Sequence, residues 1–107
     1  MTKEEQEKFI TEYFIRMDEI LLSKGDDYAN SDRLSNFKLS GAIVGISPEQ
    51  NCLSLIATKV ARIGVLLKSK NPKNESIDDS VIDLANYTIL LAMLLKESHS
   101  CGMPRSS

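Results

Sequence analysis

The chain has few of the residues that build metal centres and disulfide frameworks. It contains two cysteines, Cys52 and Cys101, and one histidine, His99. Because the cysteines lie far apart and form no metal-ligand spacing, we expect unpaired thiols in a reducing compartment, and the predicted location is the cytoplasm. Cys52 is expected to be an inert packing residue and His99 a solvated one.

Long apolar runs and a strong net charge are also lacking. The longest apolar run, residues 87–95, is well short of the ~20 residues that span a bilayer, and no basic-then-apolar leader opens the chain. We therefore expect neither membrane insertion nor secretion. A formal net charge of −2 argues against a binder of nucleic-acid polymers, which would depend on neutralising many phosphates.

Standard catalytic and phosphate-binding motifs are missing too. The sequence contains no GxxxxGK[ST] or GxGxxG loop and no HExxH pair. A nucleotide site, if there is one, must therefore be built from side chains between helices or in loops rather than from a glycine-rich phosphate loop.

Apolar residues at helical spacing fill the first half of the chain. Thr2 and Glu5 form a capping-box pattern at the start of a helix over about residues 3–24, and Gly25 is the predicted stop. A polar, turn-rich loop follows, and then a short helix is predicted over about residues 33–44.

Two further helices are predicted in the second half. Ser47, Pro48 and Gln50 form a strong start signal for the third helix. Its predicted core stripe consists of apolar residues at heptad-like spacing: Leu53, Ile56, Val60, Ile63 and Leu67. Ser76 with Asp79 is a second capping-box pattern, from which a fourth helix should run to about Lys96.

These patterns predict an all-α protein, a compact helical bundle of three long helices and one short helix. With 107 residues, we expect a single helical domain over residues 1–97 and a mobile tail over 98–107. The fourth helix carries more apolar surface than a three-helix core readily buries, which favours a homo-oligomer.

The fourth helix nevertheless carries a polar group within its apolar sequence. Asp83 and Asn86 follow Asp79 by four and seven residues. The three side chains therefore share one face of that helix, with Tyr87 beside them. Lys59 and Arg62 share a face of the third helix in the same way. If these faces meet, cations oppose carboxylates, either as a structural ion-pair network or as one wall of a polar ligand pocket.

The loop after the first helix could supply the other wall of such a pocket. A guanidinium and ammonium groups suit phosphates, Tyr28, Phe37 or Tyr87 could stack on a base, and Asn or Asp could read a base edge or a hydroxyl. The combination indicates a nucleotide-like ligand. The predicted ligand-binding residues are Lys24, Asp27, Tyr28, Arg33, Asn36, Phe37, Lys59, Arg62, Asp79, Asp83, Asn86 and Tyr87.

Two other hypotheses stay open. Glu75, Asp79 and Asp83 could hold Mg²⁺ and so assist the attack of water on a phosphate, which would make the protein a metal-dependent enzyme. Alternatively, the polar group is only a folding network within a helical interaction module. We favour binding without turnover and with no cofactor, because two aspartates on one helix make a thin metal site.

Three segments of the chain carry a family resemblance: KGDDYAN, SNF and ATKVARIGVLLKSKNPKNESIDDSVIDLANYTILL. In this order they resemble a small phage and bacterial family, the nucleotide modification associated domain, type 1. The resemblance spans roughly residues 22–95. Its most specific parts are Lys24, Asp27 and Tyr28, the pair Asn36 and Phe37, the pair Lys59 and Arg62, and the block from Glu75 to Tyr87. It implies a link to nucleotides and not a particular activity.

A looser similarity connects the chain with the all-α nucleoside triphosphate pyrophosphohydrolases of the MazG type. That resemblance implies a magnesium site made from an ExxE pair and an ExxD pair on successive helices. Here Lys59 and Arg62 stand where acids are wanted, and Asp79, Asp83 and Asn86 replace the ExxD pair. This departure puts a multi-metal hydrolytic centre in doubt and favours binding of an anionic ligand.

In size and pocket chemistry the chain also resembles the small viral proteins that sequester cyclic or ADP-ribose-derived signals of bacterial immunity. Such proteins are compact homo-oligomers, and the similarity implies a comparable role in the host cytoplasm. The resulting hypothesis is a phage-type, nucleotide-binding protein that sequesters its ligand.

Overall fold

The computed structural model describes residues 1–26, 32, 34–69 and 74–100, without the side chains of residues 24–26, 74, 75 and 100. Within these ranges there are four α-helices and no strand. They are α1 (Lys3–Asp26), α2 (Ser35–Val44), α3 (Pro48–Lys68) and α4 (Asn74–Ser100). The all-α prediction of three long helices and one short helix is confirmed.

The helices are divided between two units. Met1–Arg33 contains α1, and Leu34–Ser107 contains α2, α3 and α4. The single domain over residues 1–97 stays a prediction. In the second unit, α4 continues to Ser100, so the predicted tail begins as helix, and residues 101–107 lie outside the described part of the chain.

Helix α1 begins as its sequence predicts and ends later. The Glu5 amide donates to Thr2 Oγ1 at 3.1 Å, which satisfies one of the N–H groups left over at a helix start. The rings of Phe9 and Tyr13 stack one turn apart, with centroids 5.4 Å apart. The helix passes through the expected stop at Gly25 and ends at Asp26, because a glycine weakens a helix without preventing it.

A tight corner joins α2 to α3. Gly45 ends α2 with a φ of 80°, a left-handed conformation that favours glycine. The corner is held by the Asn51 side chain, whose Nδ2 donates to the Phe37 carbonyl at 3.1 Å and to Ser40 Oγ at 2.6 Å. At Gly41, a Cβ would lie 3.0 Å from the Ile46 carbonyl oxygen, so this approach of the backbones requires a residue without a side chain.

The start of α3 is confirmed in detail. Ser47 Oγ accepts from the Gln50 amide at 3.0 Å, while Gln50 Oε1 accepts from the Ser47 amide at 2.9 Å. Pro48 occupies the first helical position, where a missing N–H costs no hydrogen bond.

The predicted bounds of α4 are wrong at both ends. The helix begins at Asn74, so Ser76 lies inside its first turns rather than at the cap. Its end is later than Lys96 because Glu97, Ser98 and His99 all tolerate helical backbone, and the first glycine after them is Gly102.

The core of the second unit is small and joins all three of its helices. Leu34, Phe37, Cys52 and Leu94 are buried together. Partly buried side chains pack around them: Leu55, Ile56, Tyr87, Leu90 and Leu91. The Lys38 ammonium of α2 also pairs with the Glu97 carboxylate of α4. None of the described helices is long and apolar enough to cross a bilayer.

The predicted core stripe of α3 is only partly correct. Ile56 packs against the core, whereas Leu53, Val60 and Leu67 are 56%, 54% and 67% exposed. The stripe was assigned from apolar spacing alone. The side of α3 that meets α4 also carries Lys59, which apolar spacing cannot detect, so the predicted stripe is rotated away from the true interface.

Candidate functional site

The cationic side of α3 meets the acidic side of α4. Lys59 Nζ lies 3.1 Å from Asp83 Oδ2, and the two side chains are 25% and 21% exposed. Partial burial strengthens such a pair because it is screened less than at a free surface. The two helices therefore bring together Lys59 and Asp83, two of the residues that the sequence placed on facing sides.

One turn further along α3, a second cation contacts α4. Arg62 Nη2 donates to Ser76 Oγ at 3.5 Å, a distance typical of a weak hydrogen bond. Arg62 is exposed and Ser76 half-buried. Because a guanidinium carries five N–H donors, this contact leaves most of its capacity for an anion. The sequence did not identify Ser76 as a site residue because it was assigned to the helix cap.

The most informative side chain on this part of α4 is Asn86, three residues after Asp83. It is 5% exposed, and neither its Nδ2 nor its Oδ1 has a hydrogen-bond partner among the described residues. Leaving a buried polar group unsatisfied costs about 1–3 kcal/mol, so native structures rarely keep one without a reason. A buried amide with two donors and an acceptor unused can bind a complementary polar ligand.

The predicted aromatic residues form part of the core. Phe37 is buried, and its ring meets that of Tyr87 edge-to-face, with centroids 6.5 Å apart and planes at 81°. The stacking role predicted for Phe37 is therefore wrong, because its ring packs inside the protein. Tyr87 is half-buried, and its stacking role stays a prediction.

The remaining predicted ligand residues are not all described. Asn36 is exposed on α2 and Asp79 exposed on α4. Asp27, Tyr28 and Arg33 lie outside the described residues, as do the side chains of Lys24 and Glu75. Apart from Asn36, the second wall of the predicted pocket thus lies outside the described side chains, and this wall stays a prediction.

No group of three Asp, Glu, His or Cys side chains that could hold a metal ion is found within the described residues. Of the proposed Mg²⁺ ligands, Asp83 is engaged by Lys59, so a metal ion would have to displace an ammonium group from that carboxylate. Glu75, the third predicted ligand, has no described side chain, and the metal hypothesis therefore stays untested.

Cys52 and His99 behave as expected. Cys52 is fully buried, its thiol donates to the Tyr87 carbonyl at 3.4 Å, and burial raises the pKa of this thiol above its ordinary value. A thiol held in its protonated form is a poor nucleophile, which confirms a packing role. His99 is exposed in the last turn of α4.

Comparison of the chain with protein-family models, with curated proteins and with solved structures finds no match.

Proposed function

We propose that the protein binds a small, anionic, nucleotide-derived ligand where α3 meets α4 and holds it without turnover. The observation that carries this proposal is the buried Asn86 amide, whose donors and acceptor are unused among the described residues. An asparagine amide matches the donor and acceptor edge of a nucleobase or the amide of a related group.

The charged groups around Asp83, which lies three residues before Asn86 on α4, support the same ligand class. Arg62 offers an exposed guanidinium for a phosphate, and the Lys59 ammonium sits close by against Asp83. Asp83 can accept from a ribose hydroxyl while still neutralising Lys59. Since two cations balance the two aspartates, the site favours a ligand that carries hydroxyl and amide groups as well as phosphate.

The biological role in this proposal is sequestration. The resemblance to a nucleotide-linked phage and bacterial family and the similarity to small viral signal-binding proteins favour a cyclic or ADP-ribose-type signal, captured in the cytoplasm of an infected cell. Binding without turnover removes such a signal in proportion to the amount of protein, and it needs no catalytic group.

The test is a thermal-shift screen with mononucleotides, ADP-ribose derivatives and cyclic dinucleotides, with and without Mg²⁺. A ligand that prefers the folded protein raises its melting temperature. Each stabilising compound is then recovered from denatured protein and chromatographed. We expect it to be recovered intact.

The Arg62→Ala variant tests the site itself. Removing a charge-assisted phosphate contact should weaken binding by about 1–3 kcal/mol, or roughly 5- to 150-fold in the dissociation constant. Lys96→Ala, which removes an exposed cation elsewhere on α4, should bind as the unaltered chain does. Unchanged affinity in a folded Arg62→Ala variant would remove Arg62 from the site, and no shift with any compound would overturn the proposal.

Recovery of a cleaved product would instead establish the hydrolytic alternative. In that case turnover should require Mg²⁺ and disappear in Asp83→Asn, which retains the shape of the side chain but removes its charge. A folding network without ligand function predicts neither a thermal shift nor a product.

A further inference from the structure

The outward side of α3 has an unusual distribution of polarity. The helix carries four charged residues, Glu49, Lys59, Arg62 and Lys68. Lys59 and Arg62 both contact α4, so the charges between the two helix ends are directed at the neighbouring helix. A solvent-facing helix normally has the reverse arrangement, with charge on its exposed side.

One strip of the exposed surface of α3 is correspondingly apolar, while Gln50, Ser54 and Thr58 are exposed beside it. Leu53, Val60 and Leu67 recur every seven residues and are all more than half exposed, and Ala57 and Gly64 lie between them on the same side. From Leu53 to Leu67 this outer face extends for about 21 Å at 1.5 Å per residue. A contiguous apolar surface of this kind on a helix marks an interaction site.

Gly64 adds an independent observation. A glycine within a helix costs about 1 kcal/mol relative to alanine, yet a Cβ at Gly64 would meet no atom within 4 Å among the described residues. Packing within the described chain therefore does not require the glycine. A helix that approaches from outside does benefit, because a residue without a side chain lets the two backbones come close.

We infer that this outer face pairs with the same face of a second copy of the chain in an antiparallel homodimer. Leu53 and Leu67 lie seven residues before and after Val60, and Ala57 and Gly64 lie three before and four after it. A two-fold axis at Val60 therefore places Leu53 against the partner subunit's Leu67 and Ala57 near the partner subunit's Gly64. Leucines meet at both ends of the interface, Val60 meets its own copy at the axis, and the small residues lie between these pairs.

Charge selects the antiparallel direction. Glu49 lies in the first turn of α3 and Lys68 in the last. Antiparallel pairing brings Glu49 near the partner subunit's Lys68 at both ends of the interface and also opposes the helix dipoles. Parallel pairing would bring like charges together. The inference does not depend on the nucleotide proposal, since Leu53, Val60 and Leu67 are exposed and lie on a different side of α3 from Lys59 and Arg62.

The first experiment measures the mass of the full chain by sedimentation at micromolar concentrations. The chain should form a dimer, and Val60→Glu should raise the dissociation constant on the order of 100-fold, because it buries two like charges at the axis. Val65→Glu is the matched control: Val65 is 71% exposed on the same helix but lies about 140° around it. Its dissociation constant should change by no more than about threefold. Circular dichroism confirms that both variants are helical.

A second experiment tests the direction of pairing. Glu49→Lys and Lys68→Glu should each weaken the dimer roughly 3- to 10-fold, and the double variant should recover the original affinity.

Cross-linking tests the direction in a second way, in a Cys101→Ser background in which the remaining cysteine, Cys52, is buried. A short bifunctional maleimide should cross-link two copies of the Val60→Cys variant. Leu53→Cys alone should not cross-link, whereas Leu53→Cys with Leu67→Cys should.

Three results would overturn the inference. A monomer at all concentrations removes the dimer. An equal effect of Val60→Glu and Val65→Glu places the contact elsewhere. Efficient cross-linking of Leu53→Cys to itself shows a parallel pair.

Discussion

At the scale of single residues, the sequence identified the polar side chains but not their surroundings. Asp83 and Asn86 share a helix face from spacing alone, and the structure places Asp83 in an ion pair and Asn86 in a buried position where its amide has no partner among the described residues. Spacing gives the direction of a side chain and not the depth at which it is buried. For the same reason Phe37 was assigned to ligand stacking, although it packs in the core.

The unsatisfied amide predicts that Asn86→Leu stabilises the free protein. Leucine has a similar size and no polar atoms, so the folded state no longer holds an unpaired donor and acceptor. The free energy of unfolding in urea should rise by about 1–3 kcal/mol, while binding of any ligand found by thermal shift should be lost. Such a gain in stability with a loss of function is typical of binding residues.

Asn36→Leu is the control for this substitution, because Asn36 is an exposed asparagine on α2. It should change the free energy of unfolding by no more than about 0.5 kcal/mol. If Asn86→Leu destabilises the protein by more than about 1 kcal/mol, the amide is a structural hydrogen-bonding group and the proposed ligand site loses its main support.

At the scale of the helices, local start signals were more reliable than spacing. The capping box of Ser47 and Gln50 is present in both directions, because a cap depends only on neighbouring residues. The pattern at Ser76 is of the same type, yet the helix starts earlier, at Asn74. At Ser76 the cap pattern competes with a tertiary contact, since the Ser76 hydroxyl accepts a hydrogen bond from Arg62. This contact joins two helices and cannot be predicted from local sequence patterns.

The contact between α3 and α4 predicts measurable coupling between Lys59 and Asp83. A double-mutant cycle with Lys59→Ala and Asp83→Ala should give an interaction energy of about 1 kcal/mol in thermal or urea unfolding. The value should exceed that of a surface pair because both side chains are mostly buried.

The pair of Lys8 and Glu12 on α1 supplies the comparison. Its atoms are 4.0 Å apart and its side chains are 77% and 65% exposed, so its coupling should be no more than about 0.5 kcal/mol. Equal coupling in the two cycles would mean that Lys59 and Asp83 are as well solvated as a surface pair, and that the polar contact contributes little to the association of the helices.

At the scale of the whole molecule, helix content and helix number could be predicted because periodicity and stop signals repeat along the chain. Which face of α3 points inward could not, since Leu53, Ile56, Val60, Ile63 and Leu67 satisfy the heptad spacing of a core and of an oligomer interface equally well. The structure separates these roles: Ile56 packs on the core, and Leu53, Val60 and Leu67 are exposed. One apolar pattern thus contains both core residues and exposed residues.

An exposed apolar face of this length has a consequence for the stability of the whole chain. If folding is coupled to dimerisation through α3, mass action makes the melting temperature depend on protein concentration. For a chain of about this size we expect a rise on the order of 2–5 °C for each tenfold increase in concentration, measured by circular dichroism. Val60→Glu should abolish this dependence and Val65→Glu should retain it. A melting temperature that is independent of concentration in the unaltered chain would show that the folded monomer carries its outer face uncovered, and Leu53, Val60 and Leu67 would then have no role in an oligomer.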